Sequence, residues 1–203
     1  PVLINHDFPN CKNLVADSRT RNKQILSRFL EAVLAMYNKA SKTGKAVVLP
    51  SKSTTEKYGQ MVLTRFLEEQ GLTGGTNEKP SVLLQCDQED SLIALRANVM
   101  KDVKGVSLRE APIDSHGSQG GVERYIQTTQ GMSRTWKSAA ERLHNIHIAA
   151  DHKLAAWMVR HSSFCNDRLM VHRATGKTSY ERRTGRKYTS KLIPFSEPVL
   201  FKR

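Results

Sequence analysis

Two carboxylates stand where one backbone pattern gives way to another. Asp87 closes an apolar run, Val82-Leu83-Leu84, of the kind that forms a buried strand. Glu123 opens a long helical pattern after the glycine-rich stretch Gly117-Ser118-Gln119-Gly120-Gly121. With 35 residues between them, one carboxylate sits at a strand end and the other at a helix start. That arrangement demands a fold in which strands and helices alternate. The separation alone means little, because 19 acidic residues in 203 produce many pairs; the flanks carry the argument.

After Glu123 the apolar and small residues Val122, Ile126, Thr129, Ser133, Trp136, Ala140 and Leu143 recur at alternating steps of four and three, which predicts one buried helical stripe. Glu123, Gln127, Gln130, Arg134 and Lys137 share the adjoining face, with a carboxylate at one end and positive charge at the other. A nucleic acid strand could lie along such a face, which an ordinary solvated helix would also present.

Elsewhere the chain reads as further alternation. Val2 to Ile4 form a first strand. Phe29–Tyr37 and Lys45–Leu49 form two antiparallel strands joined through Ser41-Lys42-Thr43-Gly44. A helix capped by Ser53 or Thr54 carries Val62, Phe66 and Leu67 up to Gly71. Gly71–Lys79 reads as a linker, Val82–Gln85 as a strand, Glu89–Met100 as a helix and Val106–Leu108 as a short strand. A polar loop is expected over Ala111–Gly121. Beyond the Glu123 helix we expect an amphipathic helix over Ile148–Arg168, with Trp157 in the core in preference to a base-stacking platform, a short helix at Ser179–Arg183 and a strand at Pro198–Phe201.

The segment Ser118 to Glu123, with Asp87 upstream, resembles the D,D-35-E catalytic core of retroviral and retrotransposon integrases, which start the corresponding helix with an SQGxVE-like motif. The resemblance runs roughly from Pro1 to Arg186. It includes Trp157-Met158-Val159-Arg160-His161, Gly176-Lys177-Thr178-Ser179-Tyr180-Glu181-Arg182 and Gly185-Arg186-Lys187-Tyr188, which look like the end of the core in Copia-type Pol polyproteins. It implies an α/β, RNase H-like mixed sheet flanked by helices over residues 1–170, with a basic C-terminal extension over 171–203. It also implies a DNA integrase that processes 3′ ends and transfers them into target DNA, working as a homo-oligomer on element ends and target duplex. Retroviral integrases often carry lysines four and seven residues after the glutamate, where Gln127 and Gln130 stand here.

The resemblance implies a catalytic triad with Asp87 and Glu123 as two members. For the first aspartate the chain supplies its own argument: Val2-Leu3-Ile4-Asn5-His6-Asp7 has the layout of Val82-Leu83-Leu84-Gln85-Cys86-Asp87. In an RNase H-like sheet the strands bearing the two aspartates are neighbours, so matched layouts bring both carboxylates to one edge. Asp7 is therefore preferred over its rival Asp17, which follows Leu14-Val15-Ala16. Ionised carboxylates are hard oxygen ligands suited to Mg²⁺ or Mn²⁺, and two such ions can drive an in-line phosphoryl displacement. The family's arrangement gives Asp7 and Asp87 one metal and Asp7 with Glu123 the other. Two alternatives stay open: an RNase H-like nuclease, for which Asp151 or Asp167 would have to supply a fourth acidic ligand, and a catalytically degenerate copy that only binds DNA.

Charge points to the partner. Residues 124–203 hold 16 Lys+Arg against 5 Asp+Glu, whereas residues 1–123 hold 16 against 14, and the whole chain carries +13. That is an electrostatic footprint for phosphate backbones. Basic residues spread over so long a stretch do not describe a membrane-binding amphipathic helix, and no apolar run approaches the ~20 residues of a membrane span. Cys11, Cys86 and Cys165 form no CxxC pair and read as reduced thiols of an intracellular protein, nuclear when acting on chromosomal DNA. His144 and His147 lack the cysteines of an integrase-type zinc domain. The first residues show no signal peptide, and the absence of a starting Met suggests a piece of a longer protein.

Overall fold

The computed structural model describes residues 2–5, 33–50, 57–72, 82–86, 89–110, 116–149 and 152–200. Their centre is a five-stranded mixed sheet: β1 (Val2–Asn5), β2 (Val33–Asn38), β3 (Gly44–Val48), β4 (Val82–Cys86) and β5 (Val106–Glu110) in the order β3-β2-β1-β4-β5. β2 runs antiparallel to β1, with Asn5 opposite Ala35, and β3 runs antiparallel to β2. On the other side β4 and β5 run parallel to β1. Parallel strands need a crossover, and α2 (Asp90–Asp102) supplies the one from β4 to β5.

Alternation along β2 explains the layers. Leu34 and Met36 join one core with Val62, Leu63, Phe66 and Leu67 of α1 (Lys57–Glu69) and Leu92, Leu95 and Val99 of α2. Val33 and Ala35 face the other side, against Val122, Tyr125 and Ile126 of α3 (His116–His144) and Val159 of α4 (Leu154–Leu169). A strand buried on both faces reads as a continuous apolar run, as Val33-Leu34-Ala35-Met36 does. α1 ends as expected at Gly71, whose φ of +65° lets the backbone turn back.

Several expectations need correction. The loop expected to reach Gly121 is already helix from His116. Glycine is a poor helix former, but close packing outweighs its propensity at Gly121: a Cβ there would lie 2.8 Å from the Tyr37 ring. The stripe holds at Val122, Ile126, Thr129 and Ala140, but Leu143 is exposed. At 29 residues α3 is about 43 Å long and outruns the sheet, so its distal half packs instead on α4 and Phe195. α4 starts at Leu154 rather than Ile148. Ile148 keeps its place in the apolar pattern because it is buried in the connecting loop, where its N–H donates to Glu141 Oε1 at 2.9 Å. Met158 and Val159 turn inward, which leaves Trp157 outward and 60% exposed rather than in the core. No strand forms over 198–200; Val199 and Leu200 stand exposed, paired with no strand among the described residues.

After α4 a two-stranded ribbon, β6 (Val171–His172) and β7 (Lys177–Thr178), leads into α5 (Ser179–Thr184), close to the short helix expected there. Thr178 Oγ1 caps α5 by accepting the Glu181 N–H. The unit docks on the β2–β3 turn, where Ser179 Oγ donates to Lys42 O at 2.7 Å and Arg182 Nη2 to Ala40 O at 2.7 Å. Asp167 of α4 lies buried beneath it with Arg168 Nη1 at 3.5 Å and Arg183 Nη2 at 3.8 Å.

Two measurements test this packing. A Cβ on Gly44 would overlap the Tyr125 ring, so Gly44→Ala should cost about 1–3 kcal/mol, read from the urea midpoint at unchanged slope. Burial pushes the Asp167 carboxyl above its ordinary value, against the opposing pull of Arg183 and Arg168. A raised folded-state value means that this group favours folding when protonated and loses that contribution as pH rises through the raised value. Asp167→Asn should therefore gain stability relative to the parent between acid and neutral pH; a relative loss over that range would refute the burial argument.

Candidate functional site

The sheet's parallel pair sets the site. β1 and β4 are adjacent and parallel, with Ile4 level with Cys86, so both chains leave the sheet at the same end. Asp87 directly follows Cys86 and Asp7 comes two residues after Asn5. Asp7, Asp87 and the rival Asp17 all lie outside the described residues. The pairing is staggered by two from the matched layouts: Val2 faces Leu84, not Val82.

The α3 residues that flank Glu123 pack across β2. Val122 and Ile126 pack on Ala35, which is the β2 partner of Asn5, the last residue of β1. Gly121 presses on Tyr37, and α3 contacts β1, β2 and β3. Glu123 itself is half-buried, between the inward Val122 and the outward Arg124.

Along the helix Gln127 and Arg134 are exposed, while Gln130 and Lys137 are half-buried. Lys137 differs from Arg134 electrostatically. Its ammonium lies 3.7 Å from Glu141 Oε1, an oxygen that also has His147 Nδ1 at 3.2 Å. Glu141 is held below the usual carboxylate range, first by the hydrogen bond from Ile148 N–H and then by Lys137 and His147. Lys137 is thus partly committed to the α3–α4 connection, an i,i+4 pairing visible in the sequence. Arg124, not singled out by the sequence reading, is exposed beside Glu123, and its charge reaches Tyr37. Its position next to the glutamate was the available signal.

Among the described residues no group of three His, Cys, Asp or Glu side chains could hold a metal ion. Of the expected donors only Glu123 falls within them. A half-buried carboxylate at a sheet end offers the hard oxygen that Mg²⁺ takes, with solvent access for water and phosphate ligands.

No protein-family model and no curated protein matches the sequence. Solved structures do match. The BIV integrase catalytic core domain aligns with a TM-score of 0.53 at 14% identity over 75% of this chain and 85% of that one. A chain of the simian T-cell lymphotropic virus intasome in complex with PP2A regulatory subunit B56 gamma aligns at 0.56 and 12% over 84% and 54%. The HTLV-2 integrase catalytic core domain in complex with magnesium, in a trimeric form, aligns at 0.50 and 12% over 75% and 84%. With the strand order and helix layers above, this likeness gives the chain the fold of a retroviral integrase catalytic core.

Proposed function

We propose that this chain is the catalytic core of a retrotransposon DNA integrase of Copia type, acting on DNA as a metal-dependent polynucleotidyl transferase. One observation supports the reading: the chain shares the fold of integrase cores, and Val122 and Ile126, on the helix that bears Glu123, pack on Ala35, the β2 partner of the last residue of β1.

In this reading Asp7, Asp87 and Glu123 hold two Mg²⁺ or Mn²⁺ ions. When bound, the pair supplies an activated oxygen nucleophile and charge stabilisation for the leaving oxygen. The protein's own contribution is positional. The packing of Val122 and Ile126 on Ala35 anchors the helix that bears Glu123. With water as nucleophile the product is a trimmed 3′ end; with that 3′-hydroxyl, a strand joined to target DNA. Gln127 and Gln130 offer neutral hydrogen bonds to the DNA end, and Arg134 offers charge. The protein works as a homo-oligomer, in line with the intasome and trimeric forms of its structural neighbours, inside the cell and in the nucleus where chromosomal DNA is the target.

The decisive assay incubates the protein with a labelled duplex and Mn²⁺ and looks for strand-transfer products. Glu123→Gln and Asp7→Asn should each abolish the products while duplex binding in EDTA persists, and Asp17→Asn should remain active. Activity of Glu123→Gln within a fewfold of the parent would sink the assignment, and a parent that binds DNA but makes no product would mark a degenerate copy.

The helix face gives a second test. Arg134→Gln should lower duplex affinity and reduce the log–log salt slope by about one. Lys137→Gln should do less, because Glu141 already holds that ammonium. Equal slopes for both variants would show that the ion pair opens on binding.

A further inference from the structure

Near the opposite end of β3 from the candidate catalytic edge lies a cavity of about 210 Å³. It is bounded by the start of β3, the end of α1, α4 and α5, and its charged lining is Lys45, Arg160, Arg168 and Arg183 against Glu69 and Asp167. The excess is positive, and the cations are not equally free. Lys45 Nζ is held by both oxygens of Glu69, at 3.1 and 3.0 Å. Arg168 and Arg183 share Asp167 Oδ2, a carboxylate whose ionisation burial opposes. Arg160 has no carboxylate partner among the described residues. Its guanidinium instead stands 5.8 Å from the ring centroid of Trp157.

That ring is the other half of the observation. Trp157 is 60% exposed, a large apolar face beside the Arg160 guanidinium and a positive cavity. We infer that Trp157, Arg160 and the cavity form a second nucleic-acid contact, in which a base of a single strand stacks on Trp157 and a neighbouring phosphate enters the cavity at Arg160. Stacking on an aromatic face beside a positively charged groove is how single strands are held without sequence preference. The geometry suits one strand. Trp157 lies on the first turn of α4 and Arg168 on its last, so the face spans about 16 Å, the reach of a few nucleotides. Val159, two residues from Trp157, packs on Val33 near the β2 end that flanks the last residue of β1. The α4 face thus starts on the side of the candidate catalytic edge and leads away from it, so a strand could continue from one to the other. The contact does not depend on the carboxylate assignment.

The test is binding of a labelled oligothymidylate of about 12 nucleotides to the full chain in EDTA, so that no metal chemistry contributes. Trp157→Ala should weaken binding by about fivefold or more, and Arg160→Gln should weaken it and reduce the salt slope by about 0.7. Met61→Ala, at an exposed position of α1 in the other helix layer, should leave the affinity unchanged. Unchanged affinity in Trp157→Ala and Arg160→Gln overturns the inference. It is also overturned if tripolyphosphate binds as tightly as the oligonucleotide and loses affinity only in Arg160→Gln, since the cavity then takes a small free anion. A third refutation is sedimentation in which Trp157→Ala dissociates an oligomer while leaving oligonucleotide affinity intact, which assigns the face to contact between copies of the chain.

Discussion

Tyr125 is the contact on which the position of the candidate site depends. Its ring fills the space that the missing side chain of Gly44 leaves on β3 and stands 5.9 Å from the ring of Tyr37 on β2. Its hydroxyl is hydrogen-bonded to Ser163 Oγ of α4, and the same oxygen accepts the Ala46 N–H of β3 at 2.9 Å. Burial raises the phenol well above its usual range, as expected of a hydroxyl enclosed by the core. One side chain thereby ties α3 to two strands and to α4. A rotation or slide of α3 would break the ring contact and the Tyr125–Ser163 hydrogen bond at once, leaving a buried hydroxyl unpaired. Glu123 is two residues upstream on the same helix, so the lock that fixes Tyr125 also fixes where its carboxylate stands relative to the sheet end.

The sheet and its two helix layers were legible because their signals are local and repeated. Val33 to Met36 and Val82 to Leu84 announce buried strands, and Val62, Phe66 and Leu67 announce a helix face. What failed were positions where a pairwise contact overrode the local rule. Glycines at 117, 120 and 121 read as loop because their propensity is low, yet the helix runs through them, and at Gly121 the absence of a side chain lets it approach Tyr37. Trp157 read as core because large aromatics usually are, but Met158 and Val159 take the inward positions of that turn. Ile148 continued the apolar period of α4 while belonging to the loop before it. At Ile148 the period was right and the partner decided the outcome.

Near the candidate site the legible part was the helix that bears Glu123. The β1–β4 pairing joins segments some 80 residues apart, and its two-residue stagger breaks the symmetry that the matched layouts suggested. Register between parallel strands is fixed by which side chains reach the core, which no comparison of the two strands alone reveals.

Charge illustrates the same limit from another side. The C-terminal excess of Lys and Arg reads as one phosphate-binding surface, but folding spends much of it internally. Arg168 is enclosed by Phe164, Tyr180 and Tyr188, with its guanidinium 3.7 Å from the Phe164 ring centroid. Arg182 donates to Ala40 O, and Arg183 is divided between Asp167 and Glu69 O. These cations hold α5 and the segment around Tyr188 against the core, so truncating the chain before Val171 would remove structural contacts as well as charge. Arg173, Arg186, Lys187 and Lys191 remain exposed, as do Arg124, Arg134 and Arg160. Formal charge therefore overstates the surface that the proposed nucleic-acid partner would meet, and its path would be set by the few cations to which the described residues give no internal work.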